Sequence, residues 1–375
     1  MNRLRIISRF FLALLIGGCA HGKKEITFTE NTQKITEVEA PETPPVVPLN
    51  PRTLEAELKI RISNIKVLSG KKLKQDNRKR GIPELSAPQV HIWSSAIVQR
   101  PNQTVLDLDL DGLAPSDIFV DDENGNQIFY WKLTEALANR DSIVIRRRVK
   151  IESYELFSIV DLDNIPPYDS YDEAFQANTK SERFLELTSE IRAAAENIVG
   201  VEQNPYRKAK LIHQWVNASM SFKYPPGKRG ASAALRKLKG DSGQFVDLFV
   251  ALCRAAGIPT RVVSGFRFNE NEKLKNQVWA EFYLPDHGWI PADPMKDAST
   301  FGRLDNRLAV SVGRNIQLKH VPHWATFSNS EVEDNRTGHM QLATIAFSGI
   351  RARFKTSIKT IKFEEPKLFT TEDEQ

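Results

Sequence analysis

One stretch limits the fold more than any other: residues 240–260, GDSGQFVDLFVALCRAAGIPT. Within it Phe245, Leu248, Phe249, Leu252, Cys253 and Ala256 recur at the three- and four-residue spacing of one helical face. Gly257 and Pro259 then stop the run. The spacing predicts a helix over 241–256, with Asp241 as its N-cap and Ser242 in the first turn. Two helical patterns precede it. One has Leu187, Ile191, Ala195 and Ile198 on a stripe closed by Gly200; the other has Leu211, Ile212, Trp215 and Val216. From residue 260 the pattern turns to strands, TRVVSGFRF, VWAEFYLP, GWIPADP and RLAVSV. Helices followed by a run of strands predict an α+β domain.

The segment ahead of these helices reads as β structure. TVLDLDLDG sets Leu106, Leu108 and Leu110 on one face and Asp107, Asp109 and Asp111 on the other. Asn124-Gly125 marks a hairpin turn, and SIVIRRRVKIE alternates through Ile143, Ile145, Val149 and Ile151. Strands at this spacing suggest a small sandwich over 53–165. DLDLDG does not suit calcium, because the bidentate glutamate of an EF-hand would fall on Ile118 and Pro115 takes a ligand position. Near the C-terminus QLATIAFSGI and RARFKTSIKTIKF read as two more strands, and FEEPKLFTTEDEQ as a frayed end. The basic run KKLKQDNRKR (71–80) could meet anionic lipid or polymer, and reads as a solvated loop between strands.

A chain of 375 residues is long enough for two domains once non-globular ends are removed. Residues 1–18 have a basic start, a short apolar run Phe10–Ile16 and small residues before Cys19, the layout of a secretory signal and too short to span a bilayer. Ile16-Gly17-Gly18-Cys19 resembles a bacterial lipoprotein signal. That resemblance implies cleavage before Cys19, a lipid on its sulfur and acylation of its amine, and hence stable membrane anchoring. Ala20 resembles the pattern of lipoproteins sent to the outer membrane. Prolines 41, 44, 45, 48 and 51 make residues 19–52 an extended tether, able to reach on the order of 100 Å. The formal charge of +5 falls to +2 without Arg3, Arg5 and Arg9, and no basic stripe with interleaved aromatics occurs, which points away from nucleic acid. Cys253 is the only other cysteine, so the mature chain allows no intrachain disulfide and no cysteine-based zinc site. On the apolar face of its helix, it reads as a buried, inert thiol.

Gly240-Asp241-Ser242-Gly243 spells the turn around the nucleophile of trypsin-like serine proteases, but that turn belongs in a β-barrel and here the serine opens a helix. A nucleophile at a helix N-terminus is the arrangement of many thiol enzymes, whose anionic form the macrodipole favours. NPYRKAKLIHQWV, GDSGQFVDLFVALCRAAGIPTRVVSGF, QVWAEFYLPDHGWIPADP and RLAVSVGRNI make residues 203–313 resemble the transglutaminase-like superfamily, relatives of papain-like thiol enzymes. IWSSAIVQRPNQTVLDLDLDG and DDENGNQIFYWKL resemble the N-terminal module often attached to bacterial members. The resemblance implies an N-terminal β-sandwich-like domain followed by a helix-plus-antiparallel-sheet domain over 166–320, with 321–375 as C-terminal strands and tail. It also implies a Cys-His-Asp triad. Ser242 stands at the thiol's position and Gln277 at the histidine's; Asp293 is present.

A serine hydroxyl needs a positioned base to take its proton as it attacks, and Gln277 has no basic nitrogen. Losing such a base lowers turnover of a serine enzyme on the order of a millionfold. His213 and His287 read as turn or surface histidines, and Cys253 lies ~16 Å along the helix from Ser242. The expectation is a lipid-anchored envelope pseudoenzyme, without cofactor or metal. It would bind an envelope protein or cell-wall peptide in a cleft near Trp279 and Trp289. The alternatives are a weak Ser242-dependent hydrolase or acyltransferase, and a structural envelope spacer.

Overall fold

A computed structural model describes residues 4–6, 46–82, 88–137, 140–268, 274–295, 300–325, 327 and 332–364. Cys19, most of the signal and tether, and the tail beyond residue 364 lie outside the described residues.

Two long strands carry the first half. β1 (Val46–Val67) pairs antiparallel with β6 (Ser142–Ser158), from Val46 opposite Ser158 to Ser63 opposite Ser142. The alternation in the sequence sets their faces: Ile143, Ile145, Val149 and Ile151 turn into the core, and Arg146, Arg148 and Lys150 turn out. β3 (Gln103–Asp111) extends this sheet beyond β6, and residues Leu4–Ile6 pair on its outer edge. A second antiparallel sheet is built from β2 (Gln89–Ser95), β4 (Asp117–Val120) and β5 (Gln127–Leu133). Ile60, Ile62, Val90, Ile92, Phe129, Trp131, Ile143 and Ile145 fill the space between the two sheets, so the expected sandwich is present. Arg147 takes an inward position in this alternation although it is charged. It is buried, donates to the Ser95 carbonyl at 2.8 Å and lies 5.4 Å from the Phe129 ring centre.

Three expectations need correction. The C-terminal strands are not an appendage: β11 (Thr344–Ser348) pairs with β2, and β12 (Ile350–Glu364) pairs with β1, so the end of the chain completes both sheets of the first domain. The expected tether boundary at residue 52 falls too late, because Val46–Arg52 already belong to β1. Among the described residues β12 reaches as far as Thr53, so Pro48 pairs with β6 alone, and Pro51 falls in the irregularity between Leu49 and Arg52 where the register with β6 shifts. Residues 71–80 are not a loop but part of α1 (Gly70–Arg80), closed by Gly81 in the left-handed conformation at φ 66°.

The second domain places its helices on one face of a four-stranded antiparallel sheet. The helices are α2 (Glu173–Thr179), α3 (Ser189–Val199), α4 (Pro205–Ser219), α5 (Ala231–Lys237) and α6 (Ser242–Ala255). The strands are β7 (Thr260–Arg267), β8 (Lys275–Leu284), β9 (Gly288–Ala292) and β10 (Arg307–Val312), in the order β9-β8-β7-β10. α6 is buried along almost its whole length and forms the centre of the core with Ile191, Ile212, Val263, Trp279 and Phe282. The outer sheet face packs Phe266, Phe268, Leu308 and Val310 against Leu54, Ala56, Leu58, Val149 and Ile151 of the sandwich, so the two domains share one apolar seam. Among the described residues no helix is long and apolar enough to cross a membrane.

One buried histidine gives the sandwich a pH dependence. His91 on β2 is 4% exposed, with Tyr130 Oη 2.7 Å from Nδ1 and Gln89 Oε1 2.9 Å from Nε2. Burial, reinforced by Lys132 and His320, drops its pKa from 6.5 to about 4. The unfolded chain therefore takes up the proton first as pH falls, so this contribution to stability is full above about pH 6.5 and is lost towards pH 4. His91→Phe should remove about 2–3 kcal/mol of the loss that the natural chain shows in urea unfolding between those pH values. An unchanged slope would contradict this assignment.

Candidate functional site

Ser242 opens α6. The Asp241 side chain accepts the Gln244 N–H at 3.3 Å as N-cap, and Ser242 is half-buried in the first turn. The helix runs along β8, through a core shared by Phe245, Phe249, Val278 and Trp279. Just past its C-terminal end, the Pro259 carbonyl accepts from Tyr283 N–H at 2.8 Å. Helix and strand each span ~20 Å between these points, so the Ser242 end of α6 lies over the Gln277 end of β8.

Gln277 and Asp293 are brought into direct contact. Gln277 sits on β8, opposite Gly265 of β7, and Asp293 directly follows β9. Gly265 is required there, since a Cβ would stand 2.0 Å from the Leu308 carbonyl oxygen. Gln277 Nε2 donates to Asp293 Oδ2 at 2.8 Å and to the Val278 carbonyl at 3.3 Å. With its amide hydrogens directed to these two oxygens, the side chain offers only Oε1, an acceptor with no basic nitrogen. The amide occupies the role of an imidazole N–H without its proton chemistry.

Asp293 is itself fully engaged. Its Oδ2 also accepts from Arg307 Nη2 at 2.8 Å, and its Oδ1 accepts from Met295 N–H at 3.2 Å. Carboxylate and guanidinium are both buried, their side chains 1% and 2% exposed. Two more arginine–carboxylate pairs, one partly exposed and one buried, surround the start of α6. Arg229 Nη1 lies 2.6 Å from Asp241 Oδ1, and Arg314 makes a two-point contact with Asp247, at 2.7 and 2.6 Å. Each carboxylate here is thus matched by its own arginine. Asp293 in particular has a permanent cation beside it, where a working triad would form a transient imidazolium. The three arginines carry no signal in the sequence, because their partners lie 12, 14 and 67 residues away.

The remaining expected residues fall elsewhere. Trp279 is fully buried in the helix–sheet core. Trp289 stands opposite Tyr283, ~20 Å along the sheet from Gln277, beneath the Arg261 guanidinium at 3.7 Å. His213 is not a surface residue: it is 1% exposed, packs on Phe249 and Phe301, and its Nε2 meets the Asp293 backbone carbonyl at 3.1 Å. His287 is in a turn as expected, but buried. Its Nε2 meets the Asp161 N–H at 3.3 Å and its Nδ1 the Pro285 carbonyl at 2.9 Å, so both ring nitrogens are engaged in this turn. Cys253 is fully buried, and burial pushes its thiol well above the usual range. Among the described residues no group of three His, Cys, Asp or Glu is placed to hold a metal ion.

Sequence reasoning missed one feature at this end of the domain. Phe222 pairs with Gly240, so the loop Phe222–Gly230 borders the start of α6, held by Gln244 Nε2 on the Lys228 carbonyl at 2.7 Å. Phe222 and Tyr224 on this loop are 65% and 76% exposed. The available signal was FKYPPGKRG, an aromatic pair before a Pro-Pro-Gly turn, just ahead of Gly240-Asp241-Ser242.

A sequence profile of the transglutaminase-like superfamily matches residues 192–294, which include Ser242, Gln277 and Asp293. An uncharacterized protein of Haemophilus influenzae is 30% identical over 155 residues, covering 34% of this chain and 42% of that protein; the chain thus spans less than half of this relative's length. Among solved structures, a protein of Cytophaga hutchinsonii provisionally described as a cysteine protease superposes with a TM-score of 0.56, at 14% identity, over 86% of this chain and 99% of that one. The periplasmic domain of TgpA from Pseudomonas aeruginosa gives 0.32, at 14% identity, over 62% and 93%. The first of these likenesses extends over both domains and shows a shared fold. With the helix, the sheet and the position of Gln277 against Asp293 in place, residues 192–294 are a transglutaminase-like domain.

Proposed function

We propose that this chain is a lipid-anchored protein of the cell envelope whose transglutaminase-like domain binds a polypeptide partner and no longer performs acyl transfer. The observation that carries this reading is the Gln277–Asp293–Arg307 arrangement: the amide holds the place of the base, and the carboxylate is already neutralised. His213 and His287 are held by other partners and do not offer Ser242 Oγ a base for its proton. Binding asks less of the site. The exposed Phe222 and Tyr224, flanked by Lys223 and Lys228, supply apolar area and polar contacts next to the helix start, the composition of a peptide-binding rim.

In this reading the lipid on Cys19 anchors the chain in the outer membrane, with the domain facing the periplasm; the signal-like leader and Ala20 support it. Cys19→Ala should then shift the protein from the membrane to the soluble fraction. The binding role is tested by crosslinking in intact envelopes. The same partner should be recovered with the natural chain and with Ser242→Ala, and should be lost with Phe222→Ala, Tyr224→Ala. Recovery that depends on Ser242 would contradict the reading, as would recovery unaffected by the aromatic pair.

A further inference from the structure

Two segments far apart in sequence meet at one end of the sandwich and concentrate the positive charge of the chain. Residues 58–82 and 349–359 contain thirteen lysines and arginines against one acid, Asp76, in a chain whose formal charge is +5. Pairing of β12 with β1 brings them together. Arg351 stands opposite Lys66 and Lys355 opposite Arg61, and Leu68 N–H donates to the Gly349 carbonyl at 2.9 Å. α1 leaves the sheet at this point and exposes Lys71, Lys72, Lys74, Arg78 and Lys79.

Residues opposite one another in an antiparallel pair share a face. Arg61, Arg353 and Lys355 therefore lie on the outer side of the sheet, with Ile60 and Ile62 in the core behind them. Among the described residues no carboxylate lies within ion-pair distance of Arg61, Lys66, Arg351, Arg353 or Lys355. Farther along the same face the charges are balanced. Glu57 holds Lys59, Arg148 and Lys359 at 3.4 to 3.5 Å, and Asp107, Asp109 and Asp111 face Lys150, Arg148 and Arg146. The uncompensated cations thus gather at the α1 end.

We infer that this end docks, by charge alone, on the headgroup plane of an anionic bilayer. The cations form a two-dimensional array, spaced ~7 Å along a strand and ~5 Å between strands, which suits a plane of phosphates better than a single ligand. Among the described residues no exposed aromatic is interleaved with them to stack on a nucleobase. The only apolar side chain of α1, Leu73, is half-buried, so the helix does not insert into the acyl region as an amphipathic anchor would. This end of β1 lies ~70 Å from Val46, and the contact would be made by side chains other than the proposed lipid-bearing Cys19.

The test uses the chain from Ala20 onward, so that neither the basic, apolar leader nor an acyl group contributes. It is sedimented with vesicles of phosphatidylcholine alone and with ~40% phosphatidylglycerol, at ~0.1 M and ~0.5 M NaCl. Binding to the anionic vesicles should be at least ~10-fold tighter than to the zwitterionic ones, and the difference should vanish at the higher salt. Two separate triple variants, Lys71→Gln, Lys72→Gln, Lys74→Gln and Arg351→Gln, Arg353→Gln, Lys355→Gln, should each remove most of that difference. A variant of equal charge change elsewhere, Arg192→Gln, Arg207→Gln, Lys210→Gln, should keep it. Equal binding to both vesicle types would overturn the inference, as would equal damage by the control variant. Binding of inorganic polyphosphate without binding to anionic vesicles would reassign the surface to a soluble polyanion. None of these outcomes depends on lipidation at Cys19 or on peptide binding near Ser242.

Discussion

Asp247→Ala is expected to destabilise the folded chain by about 3–5 kcal/mol, the cost of leaving one charge of a buried pair without its partner. Asp247 and Arg314 have side chains 0% and 1% exposed, and two short hydrogen bonds join them. Removing the carboxylate leaves the guanidinium in the interior of the domain. The Gly338 carbonyl and the His339 ring, at 3.3 and 3.2 Å, do not replace a negative charge. Replacing both partners with apolar residues of similar volume, Asp247→Leu with Arg314→Met, should recover most of the loss, because no charge is then stranded. Asp241→Ala should cost only about 1–2 kcal/mol, since its pair with Arg229 is partly solvated and the main loss is the N-cap. Urea unfolding of the four proteins measures these differences. A loss below about 1 kcal/mol for Asp247→Ala would mean that water reaches the pair.

The second large effect is a gain of reactivity. Ser242→Cys places a thiol at the N-terminus of α6, where the helix dipole favours the thiolate. Its alkylation should therefore occur at a lower pH than that of an ordinary cysteine. Adding Gln277→His supplies an imidazole positioned to donate to Asp293 Oδ2, as the amide does now. The double variant should react at neutral pH about 10-fold faster than Ser242→Cys alone, because a protonated histidine further favours the thiolate. The gain is bounded by Arg307, which already neutralises Asp293 and weakens its support for an imidazolium. Arg307→Met in the same background should raise the rate again. Cys253 serves as the internal reference, since its buried thiol should label only after unfolding. A thiol at residue 242 no more reactive than a free cysteine, with or without the Gln277→His exchange, would show that the site does not retain the arrangement described above.

Local patterns are legible in the sequence, and pairings distant in sequence are not. The apolar period of 241–256 and the cap at Asp241 give α6 to within a residue, because both signals lie inside one segment. The alternation of 142–151 likewise fixes which face of β6 is buried. The partners of the C-terminal strands cannot be read, since β12 pairs with β1 from nearly 300 residues away, and nothing in RARFKTSIKTIKF names its neighbour. KKLKQDNRKR lacks an apolar stripe and reads as a loop, yet forms a helix with Gly81 as its stop; such a charged helix carries little periodic signal. At the site, spacing and motif locate Ser242, Gln277 and Asp293. They do not show that Arg307 neutralises the carboxylate, because that contact depends on how β10 is laid beside β7. Trp279 reads as a cleft residue for a related reason. Its neighbours on β8 are nearly all buried, so alternation gives no clue to which side faces α6.

The most direct test of the central claim is a search for an acyl-enzyme on the natural chain. The chain and its Ser242→Ala variant would be incubated with an activated ester and a panel of peptide amides, and followed by intact mass and product release. The account predicts no adduct on residue 242 and identical, background release from both proteins. A mass increase that maps to Ser242 and disappears in Ser242→Ala would contradict it, and would mean that some group other than Gln277 takes the proton.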